Sequence, residues 1–564
     1  MKRISLILIF TFFVLSLQSQ NPYPQNYFRS PVDFRILLSG TFGELRPDHF
    51  HMGIDIKTNS VEGANVYAPA EGYVSRIKIS AFGYGKSIYM THPNGYVTVY
   101  AHLSKLDDKL DVYVKEHQYK RKSYEIDLYL KKDQFHYAKG DIIALSGNSG
   151  GSGGPHLHFE IRDEKTQEPL NPLLFGFDVK DFLRPLINSI RIYPVGKKPV
   201  NLELSGWGEN YRLKEGDTIG LPKSFYLGIN TIDKQNDTPN NNGVYEVALF
   251  FDSLKVYGNR QERLSFSTGR YINTFIDYAY YSEYKTRFQK AYIGSHNKLK
   301  IYNDVINNGL IQISDSLYHQ IRYQVADANG NKSILSFYAF AASDDKFEAF
   351  PQDTIKKTVF YFDTENKFES DNFRLDMPKN ALYDSLYFHF DVLSDTLDQF
   401  SPIYRVHKKE VPLQTSISLS LKLDSIPELL KSKLLIARVE DENYSTSSIK
   451  WEGAWATVSI RNFGDYTVIA DTVQPQIKWI NTLKNKTIAE GTKIKFKVKD
   501  ELSGIKTYNG YFNGEWILFE HDAKNNLIFH TVEKKRLADK NKILIEVVDK
   551  VGNKAVFERT FDKP

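Results

Sequence analysis

The chain has 564 residues, of which 41% are hydrophobic and 25% charged, a composition typical of a folded protein with several domains rather than one core. Its 73 Lys and Arg and 68 Asp and Glu give a net charge of only +5, which excludes the strong basic field of a nucleic-acid-binding protein. The chain has no cysteine, so a disulfide framework and a lipid-modified cysteine are excluded, and its 36 Tyr and 37 Phe favour β-structure.

Residues 1–19 are predicted to be a cleaved secretory signal. Lys2 and Arg3 precede an apolar run from Ile4 to Leu17, and the small residue Ser19 follows near the expected cleavage point. The run of about 14 residues is shorter than the roughly 20 that a membrane-spanning helix needs, and an uncleaved anchor is the alternative. We therefore expect an exported protein, in the periplasm, the cell envelope or the medium, with no membrane span after signal cleavage.

Residues 20–185 are predicted to form an antiparallel β domain. Short alternating segments are separated by Gly and Pro, and Pro93-Asn94-Gly95 between two β-branched runs predicts a hairpin turn. Residues 107–138, rich in Lys and Tyr, interrupt this pattern. We interpret them as an insertion that is either an additional solvated hairpin or a rim over a neighbouring cleft.

The rest of the chain is rich in predicted strands and contains a weak internal repeat. "YQVADANGNKSILSF" (323–337) and "IEVVDKVGNKAVFER" (545–559) share an apolar strand, an aspartate, Gly-Asn-Lys and a second strand. Each copy is typical of the hairpin that closes an immunoglobulin-like sandwich. We predict sandwiches at 186–342, 350–470 and 474–564. The expected fold class is all-β: a small antiparallel β-sheet domain followed by two or three immunoglobulin-like β-sandwich domains.

Eight of the 14 histidines lie in the first 160 residues. Because side chains alternate along a strand, His51 and Asp55 in "HMGIDI" are expected on one face, opposite Met52, Ile54 and Ile56. His156 and His158 in "HLHFE" are likewise expected to share a face. These motifs predict imidazoles and a carboxylate that face one groove.

A third motif, "VTVYAHL", adds another histidine to this groove. Alternation predicts that Tyr100 and His102 share one face, opposite Val99, Ala101 and Leu103. Two imidazoles and one carboxylate are typical of catalytic zinc, which keeps its fourth position open. A non-heme iron site, which also uses two histidines and one carboxylate, is the alternative.

Other polar residues near these motifs are left outside the predicted site. His49 is expected to be a bystander, although it lies on the same strand face as His51. Glu160 has the right parity to face the groove but is interpreted as a supporting or surface group. His92, His117 and His136 are expected to be hydrogen-bonded or partly exposed.

The segments "HFHMGIDI" (49–56), "YVTVYAHLSKL" (96–106) and "GNSGGSGGPHLHFEIR" (147–162) resemble the M23 (lysostaphin- or LytM-type) zinc endopeptidases. The resemblance covers roughly residues 36–176 and implies a small antiparallel β domain with a groove over the sheet. It implies one Zn²⁺ per chain, held by His51, Asp55 and His158, and catalytic roles for His102 and His156. Residues 107–138 depart from the family pattern.

The resemblance also implies a substrate class, the peptide cross-links of bacterial peptidoglycan. The alternatives are a secreted peptidase that acts on other proteins and a non-catalytic regulator of cell-wall hydrolases. All five family residues are present, which argues against the non-catalytic alternative. The sandwiches are expected to be spacers or to bind an envelope protein partner, and no nucleic-acid partner is expected.

Overall fold

The computed structural model describes residues 21–294, 296–350, 358–393, 400–424, 426–440, 443–481 and 487–562. The predicted signal, residues 1–19, lies outside them. Within these ranges no helix has both the length and the apolar character needed to cross a bilayer. The structure is nearly all β, as predicted.

The N-terminal region, residues 21–185, is organised around one long antiparallel sheet. Its strands are β1 (Leu38–Gly40), β2 (Ile54–Lys57), β3 (Asn65–Tyr67), β4 (Gly72–Ile79), β5 (Lys86–Thr91), β6 (Tyr96–Ala101), β7 (Lys105–Leu106), β8 (Ile126–Tyr129), β9 (His136–Tyr137), β10 (Ile142–Leu145), β11 (His156–Asp163) and β12 (Pro169–Leu170). The long sheet has the order β1-β2-β11-β6-β5-β4-β8, with β12 against β11 and β9 against β4. A smaller sheet has the order β3-β10-β7. The three histidine motifs therefore lie on or next to the adjacent strands β2, β11 and β6.

The predicted turn at residues 93–95 is confirmed, because β5 and β6 pair antiparallel on either side of it. Gly95 has φ +82°, a left-handed conformation that glycine adopts without strain. The apolar side chains of β2, β6 and β11 that point away from the groove are buried in one cluster, which includes Ile54, Tyr100 and Phe159.

The interpretation of residues 107–138 as an additional hairpin is wrong. They begin with helix α1 (Asp108–Arg121), which Asp107 caps and which ends where Lys122 adopts a left-handed conformation. Leu110 and Val114 on α1 are buried in the core of the N-terminal region. Strand β8 then pairs with β4 and forms one edge of the long sheet. The helix was not predicted from the sequence because its buried face consists of few apolar residues among many polar ones.

The first sandwich, residues 186–342, contains two sheets that pack on one buried cluster. Its elements are β13 (Leu186–Pro194), β14 (Val200–Ser205), β15 (Arg212–Leu213), β16 (Thr218–Leu221), β17 (Ser224–Ile232), β18 (Glu246–Phe251), β19 (Leu254–Arg260), α2 (Ile272–Phe275), α3 (Tyr278–Tyr284), β20 (Gln289–Lys290), β21 (Tyr302–Asn303), β22 (Ile311–Gln312), β23 (His319–Ala326) and β24 (Lys332–Ala341). One sheet has the order β15-β14-β13-β17-β20, with β22 against β17, and the other β16-β24-β23-β18-β19-β21.

The middle sandwich, residues 358–470, is built around its own buried core. Its elements are β25 (Thr358–Phe360), β26 (Asn366–Ser370), β27 (Phe373–Met377), β28 (Leu386–Phe388), β29 (Phe390–Leu393), β30 (Ile403–Val406), β31 (Pro412–Lys422), α4 (Glu428–Lys431), β32 (Leu434–Glu440), β33 (Asn443–Ser448), β34 (Lys450–Glu452), β35 (Trp455–Asn462) and β36 (Gly464–Ala470). They form two five-stranded sheets, β26-β27-β31-β35-β34 and β29-β30-β36-β32-β33, and a two-stranded sheet, β25-β28.

The last sandwich, residues 474–562, has two four-stranded sheets. Its strands are β37 (Gln476–Trp479), β38 (Lys493–Lys499), β39 (Ile505–Phe512), β40 (Glu515–Ile517), β41 (Glu520–Asp522), β42 (Leu527–Thr531), β43 (Lys540–Asp549) and β44 (Lys554–Asp562). Strands β23 and β24, and likewise β43 and β44, form antiparallel hairpins, so the hairpin prediction for both repeats is confirmed. The domain boundaries themselves stay predictions.

Both the first and the last sandwich pack against the N-terminal region. Met52 lies in a cluster with Phe42 and Phe50 and with Leu264 and Phe275 of the first sandwich. The prediction that Met52 packs on the same face as Ile54 and Ile56 is therefore wrong. The reason is that β2 starts only at Ile54, so strand alternation does not extend back to Met52.

Candidate metal centre

His51, Asp55 and His158 meet at the end of strands β2 and β11. Asp55 and His158 lie directly opposite each other in the register of these strands, and His51 lies three residues before β2. Nδ1 of His158 is 2.9 Å from Oδ1 of Asp55, and Nε2 of His51 is 3.1 Å from each of these two atoms. All three side chains are buried. The structure thus brings together the three predicted metal ligands.

The hydrogen bonds of the two imidazoles determine which nitrogen faces the cluster. Nδ1 of His51 donates to the carbonyl oxygen of Thr41 at 2.8 Å, and Nε2 of His158 donates to the carboxylate of Glu160 at 2.8 Å. Since both partners only accept, the opposite nitrogen of each ring carries a lone pair in the neutral form that binds a metal. Although burial lowers it, hydrogen bonds to Asp55 and Glu160 raise the pKa of His158 to about 9, so metal binding displaces a proton from this ring. Two nitrogen lone pairs and a carboxylate oxygen therefore converge on one point.

The second oxygen of Asp55 has a separate partner. Its Oδ2 accepts a hydrogen bond from Arg46 at 3.0 Å, so Oδ1 alone faces the histidines. Although burial raises the pKa of Asp55, His51, His156 and His158 together hold it well below its usual value. Asp55 is thus a carboxylate that offers one oxygen to the cluster.

This donor set fits a tetrahedral zinc ion. Zn–N and Zn–O distances of about 2.0–2.1 Å put the ligand atoms of a tetrahedral site about 3.3 Å apart. The three donor atoms here are separated by 2.9–3.1 Å. Each histidine is also held by an acceptor on its far nitrogen, which is the usual arrangement around metal-binding imidazoles.

His102 reaches the groove by a different route from the one predicted. Strand β6 ends at Ala101, and His102 adopts φ +60°, so strand alternation stops before it. The prediction that His102 and Tyr100 share a face is wrong, because Tyr100 is buried in the core with Phe159. The left-handed turn brings the His102 ring to 4.8 Å from the His156 ring.

His102 and His156 are both oriented by the glycine-rich loop, residues 147–154. Nδ1 of His102 donates to the carbonyl oxygen of Ser149 at 2.8 Å, and Nδ1 of His156 donates to that of Gly154 at 2.8 Å. Their Nε2 atoms are left for the groove, and Nε2 of His156 lies 3.4 Å from Oδ1 of Asp55. Burial, together with the neighbouring histidines, lowers the pKa of His102 to about 3.

The histidines that were left outside the predicted site have other partners. His49 lies on the surface and pairs with Asp48. His92 is buried and bonds to the carbonyl of Glu71 and the hydroxyl of Thr98. His117 bonds within α1, and His136 is exposed at the sheet edge.

Of the two interpretations of Glu160, a supporting group or a surface group, the structure shows the supporting group. This residue is fully buried and accepts from Arg162 at 2.6 Å, from Tyr84 and from His158. Although burial raises its pKa, Arg162 and His158 lower the pKa of Glu160 to about 2. The alternation of His158, Glu160 and Arg162 along β11 could have indicated that their side chains interact. The backbone carbonyls of Thr41, Ser149 and Gly154 could not have been identified as hydrogen-bond acceptors from the sequence, because every residue has a carbonyl.

The last sandwich contacts the loop that orients His102 and His156. Nζ of Lys524 donates to the carbonyl of Asn148, to Oδ1 of Asn148 at 2.7 Å and to the carbonyl of Ser152 at 2.9 Å. Lys86, at the start of β5, forms an ion pair with Glu520 at 2.6 Å. The loop is thus held from outside the N-terminal region.

Two families of domain match this chain. Peptidase family M23 matches residues 49–123, and the Zu5-like domain matches residues 357–471. An uncharacterized metalloprotease of Haemophilus influenzae is 37% identical over 135 residues, 24% of this chain and 22% of the relative. The DD-carboxypeptidase/endopeptidase Mpg of Neisseria meningitidis serogroup B is 31% identical over 123 residues, 22% of each. The chain thus spans about a fifth of these relatives.

Another curated relative is the peptidoglycan DD-endopeptidase ShyA of Vibrio cholerae, which is 30% identical over 139 residues, 24% of this chain and 26% of the relative. Among solved structures, a zinc-containing peptidase from Vibrio cholerae is 26% identical and is matched over 28% of this chain and 41% of its own, with a TM-score of 0.20. The catalytic domain of lysostaphin from Staphylococcus simulans is 22% identical over 25% of this chain and 92% of its own, with a TM-score of 0.19.

Proposed function

Because the chain carries a peptidase family M23 domain, we propose that it is a zinc-dependent endopeptidase that hydrolyses peptide cross-links of bacterial peptidoglycan. The observation that carries the proposal is the convergence of His51, Asp55 and His158 beside a second pair of histidines in one groove. The printed functions of the Neisseria and Vibrio relatives support peptidoglycan as the substrate.

We assign the metal site to His51, Asp55 and His158, with one zinc ion per chain. Three protein ligands leave a fourth position for water or substrate, as in catalytic rather than structural zinc sites. When bound, zinc would lower the pKa of water and polarise the peptide carbonyl. Amide hydrolysis needs a metal that acts as a Lewis acid without changing its oxidation state, which favours zinc over the iron alternative.

His102 and His156 are proposed to handle the protons of the reaction. Each ring donates through Nδ1 to a loop carbonyl, so Nε2 is the atom that accepts or donates a proton in the groove. Because these rings are held on one loop, they are oriented before the substrate binds. Amide hydrolysis needs one such group to take a proton from water and one to protonate the leaving amine.

We also propose that the protein is exported and works in the cell envelope or outside the cell. Peptidoglycan lies outside the cytoplasm, and the charged and apolar pattern of residues 1–19 is typical of an export signal. An envelope protein partner for the sandwiches remains a prediction.

The test is digestion of purified cross-linked peptidoglycan by the full chain, followed by mass spectrometry of the released peptides. We expect cross-linked peptides to be cleaved, and we expect a zinc chelator to abolish cleavage and added Zn²⁺ to restore it. Cleavage of protein substrates but not peptidoglycan would favour the alternative of a secreted peptidase that acts on other proteins. Lack of any cleavage by zinc-loaded protein would overturn the enzyme proposal.

A first prediction concerns the division of roles among the histidines. His102→Ala and His156→Ala should each reduce cleavage at least about 100-fold while zinc content stays at one per chain, because these rings move protons and do not bind the metal. His51→Ala should lose the metal. Zinc content by atomic absorption distinguishes the two groups, and loss of zinc from His102→Ala would contradict the assignment.

A further inference from the structure

Three aspartates outside the metal centre meet where the N-terminal region joins the first sandwich. Asp181 precedes β13, Asp233 follows β17, and Asp327 follows β23. One carboxylate oxygen of each lies within 4.8 Å of the others, and all three residues are buried. Oxygen ligands of one Ca²⁺ lie at most about 4.8 Å apart, since Ca–O distances are about 2.4 Å, so the three carboxylates are close enough to share one ion.

The aspartates line a small cavity, together with Asn242 and Thr41. Its volume is about 20 Å³, which is room for one ion or one water molecule. Asp233 and Asn242 are each only 3% exposed, and Oδ1 of both has no hydrogen-bond partner among the described residues. A buried carboxylate oxygen without a partner costs free energy, so it indicates that a ligand belongs in the cavity.

The charge of the cluster favours a cation. Among the described residues, no lysine, arginine or histidine forms an ion pair with any of the three aspartates. Burial, and then the charges of Asp327 and Asp181, raise the pKa of Asp233 to about 8. The candidate ligand atoms are all oxygens, which suits hard cations such as Ca²⁺ rather than zinc, which prefers nitrogen and sulfur.

The last sandwich contains a counterpart, formed by Asp471, Asp500 and Asp549. In this second cluster, Asp471 and Asp549 accept hydrogen bonds through both carboxylate oxygens. Neither of the two buried aspartates of the second cluster therefore has an unpartnered oxygen, and the inference is confined to the first.

We propose that Asp181, Asp233 and Asp327, with Asn242, form an internal binding site for a hard divalent cation of the Ca²⁺ type. The cation joins the N-terminal region to the first sandwich, because the cavity is lined by residues of both. It also lies next to the metal centre, since Thr41 lines the cavity while its carbonyl accepts from His51. This site is separate from the zinc site and does not depend on the proposed function.

The test compares the full-length protein with Asp233→Asn, which keeps the shape of the side chain. Each is depleted of metal, reloaded with one Zn²⁺ and titrated with CaCl₂ in equilibrium dialysis. We expect the unaltered protein to bind one more Ca²⁺ than the variant, with equal zinc content. The difference in bound Ca²⁺ between the two proteins reports the first site alone, because any Ca²⁺ bound by the second cluster is present in both. Equal Ca²⁺ binding would overturn the proposal.

Thermal unfolding gives an independent readout. Ca²⁺ should raise the Tm of the unaltered protein by roughly 5 °C, because a ligand that binds only the folded state stabilises it. Without Ca²⁺, Asp233→Asn should be at least as stable as the unaltered protein, because a neutral amide replaces a carboxyl group that burial already disfavours in its charged form, but it should gain nothing from Ca²⁺. An equal gain in both proteins would contradict the site, and an equal effect of Mg²⁺ would contradict the Ca²⁺ preference.

Two further variants complete the design. Asp178→Asn removes an exposed carboxylate three residues before Asp181 and should behave as the unaltered protein. If Asp233→Asn does not fold, as judged by circular dichroism, Asp181→Asn replaces it, because Asp181 is the most exposed of the three aspartates and accepts from the backbone of Leu183. Retention of full Ca²⁺ binding by that variant would equally overturn the proposal.

Discussion

At the scale of single residues, the candidate metal centre depends on which ring nitrogen carries the hydrogen atom in each of four imidazoles. Each of the four donates from one nitrogen to a protein oxygen, three of them to backbone carbonyls and His158 to Glu160. This leaves the opposite nitrogen of each ring directed at the groove or the metal site. The chemistry therefore depends on acceptors that do not themselves touch the metal or the substrate.

Glu160→Gln tests this dependence. A neutral amide is a weaker acceptor than a carboxylate, so the Nδ1 lone pair of His158 should be less basic. We expect zinc affinity to fall by about 10- to 100-fold. Competition with a fluorescent zinc chelator measures this affinity.

The matched control for this variant is Glu164→Gln, which changes an exposed glutamate four residues further along the chain. It should leave zinc affinity unchanged. If Glu160→Gln bound zinc as tightly as the unaltered protein, the buried carboxylate would serve only as the partner of Arg162.

At the scale of elements, the site depends on how closely β2 and β11 approach. The register of these strands puts Asp55 opposite His158. Gly53 makes the approach possible, because a Cβ atom there would lie 2.4 Å from the carbonyl oxygen of Phe159 on β11. No real Cβ tolerates this distance, so the strands would have to separate.

Gly53→Ala should therefore reduce both stability and zinc affinity. Forcing a methyl group into packed backbone costs about 1–3 kcal/mol, and the shift occurs between the two strands that carry proposed metal ligands. Urea unfolding and zinc titration measure the two effects. Gly294→Ala is the control, because a Cβ at Gly294 meets no atom within 4 Å. Unchanged zinc affinity in Gly53→Ala would show that zinc binding does not depend on the distance between β2 and β11.

Residues 107–138 also connect two parts of the molecule. Helix α1 joins the N-terminal region to the last sandwich: the rings of Tyr119 and Trp516 are 5.5 Å apart, and Leu518 is buried in the same cluster as Val114. The segment that departs from the family pattern thus provides a contact surface for the last sandwich.

At the scale of the whole molecule, the last sandwich reaches back across the chain to the groove. Lys524 binds two carbonyls of the glycine-rich loop, and the carbonyls of Ser149 and Gly154 in the same loop orient His102 and His156. The sandwich therefore stabilises the geometry of His102 and His156, the pair proposed to handle protons.

Lys524→Ala should lower kcat for peptidoglycan cleavage by roughly three- to tenfold, because small misplacements of reacting groups are costly, while zinc content stays the same. Lys540→Ala, which changes an exposed lysine of the same sandwich, should have no effect. Steady-state kinetics on a soluble cross-linked peptide measure the change. A rise in kcat would show instead that the sandwich restrains the loop in a less active position.

How much the sequence predicts differs between the fold and the site. Alternating strands and the repeated Asp-x-x-Gly-Asn hairpin predict the all-β class because these patterns are local. Alternation failed at Met52, which lies before the start of β2, and at His102, which follows the end of β6 and has a positive φ, since a period-two pattern carries no information about where a strand starts or stops. Helix α1 was missed for another reason, because its buried face has few apolar residues among many polar ones.

From the sequence alone, the identities and spacing of His51, Asp55, His102, His156 and His158 predict a metal-dependent groove, because metal and proton chemistry need those side chains. Only the tertiary structure decided which nitrogen of each ring faces inward, that Glu160 and Lys524 support the site, and that three distant aspartates share one cavity. These features depend on carbonyl directions and on contacts between residues far apart in the chain, and neither leaves a periodic trace in the sequence.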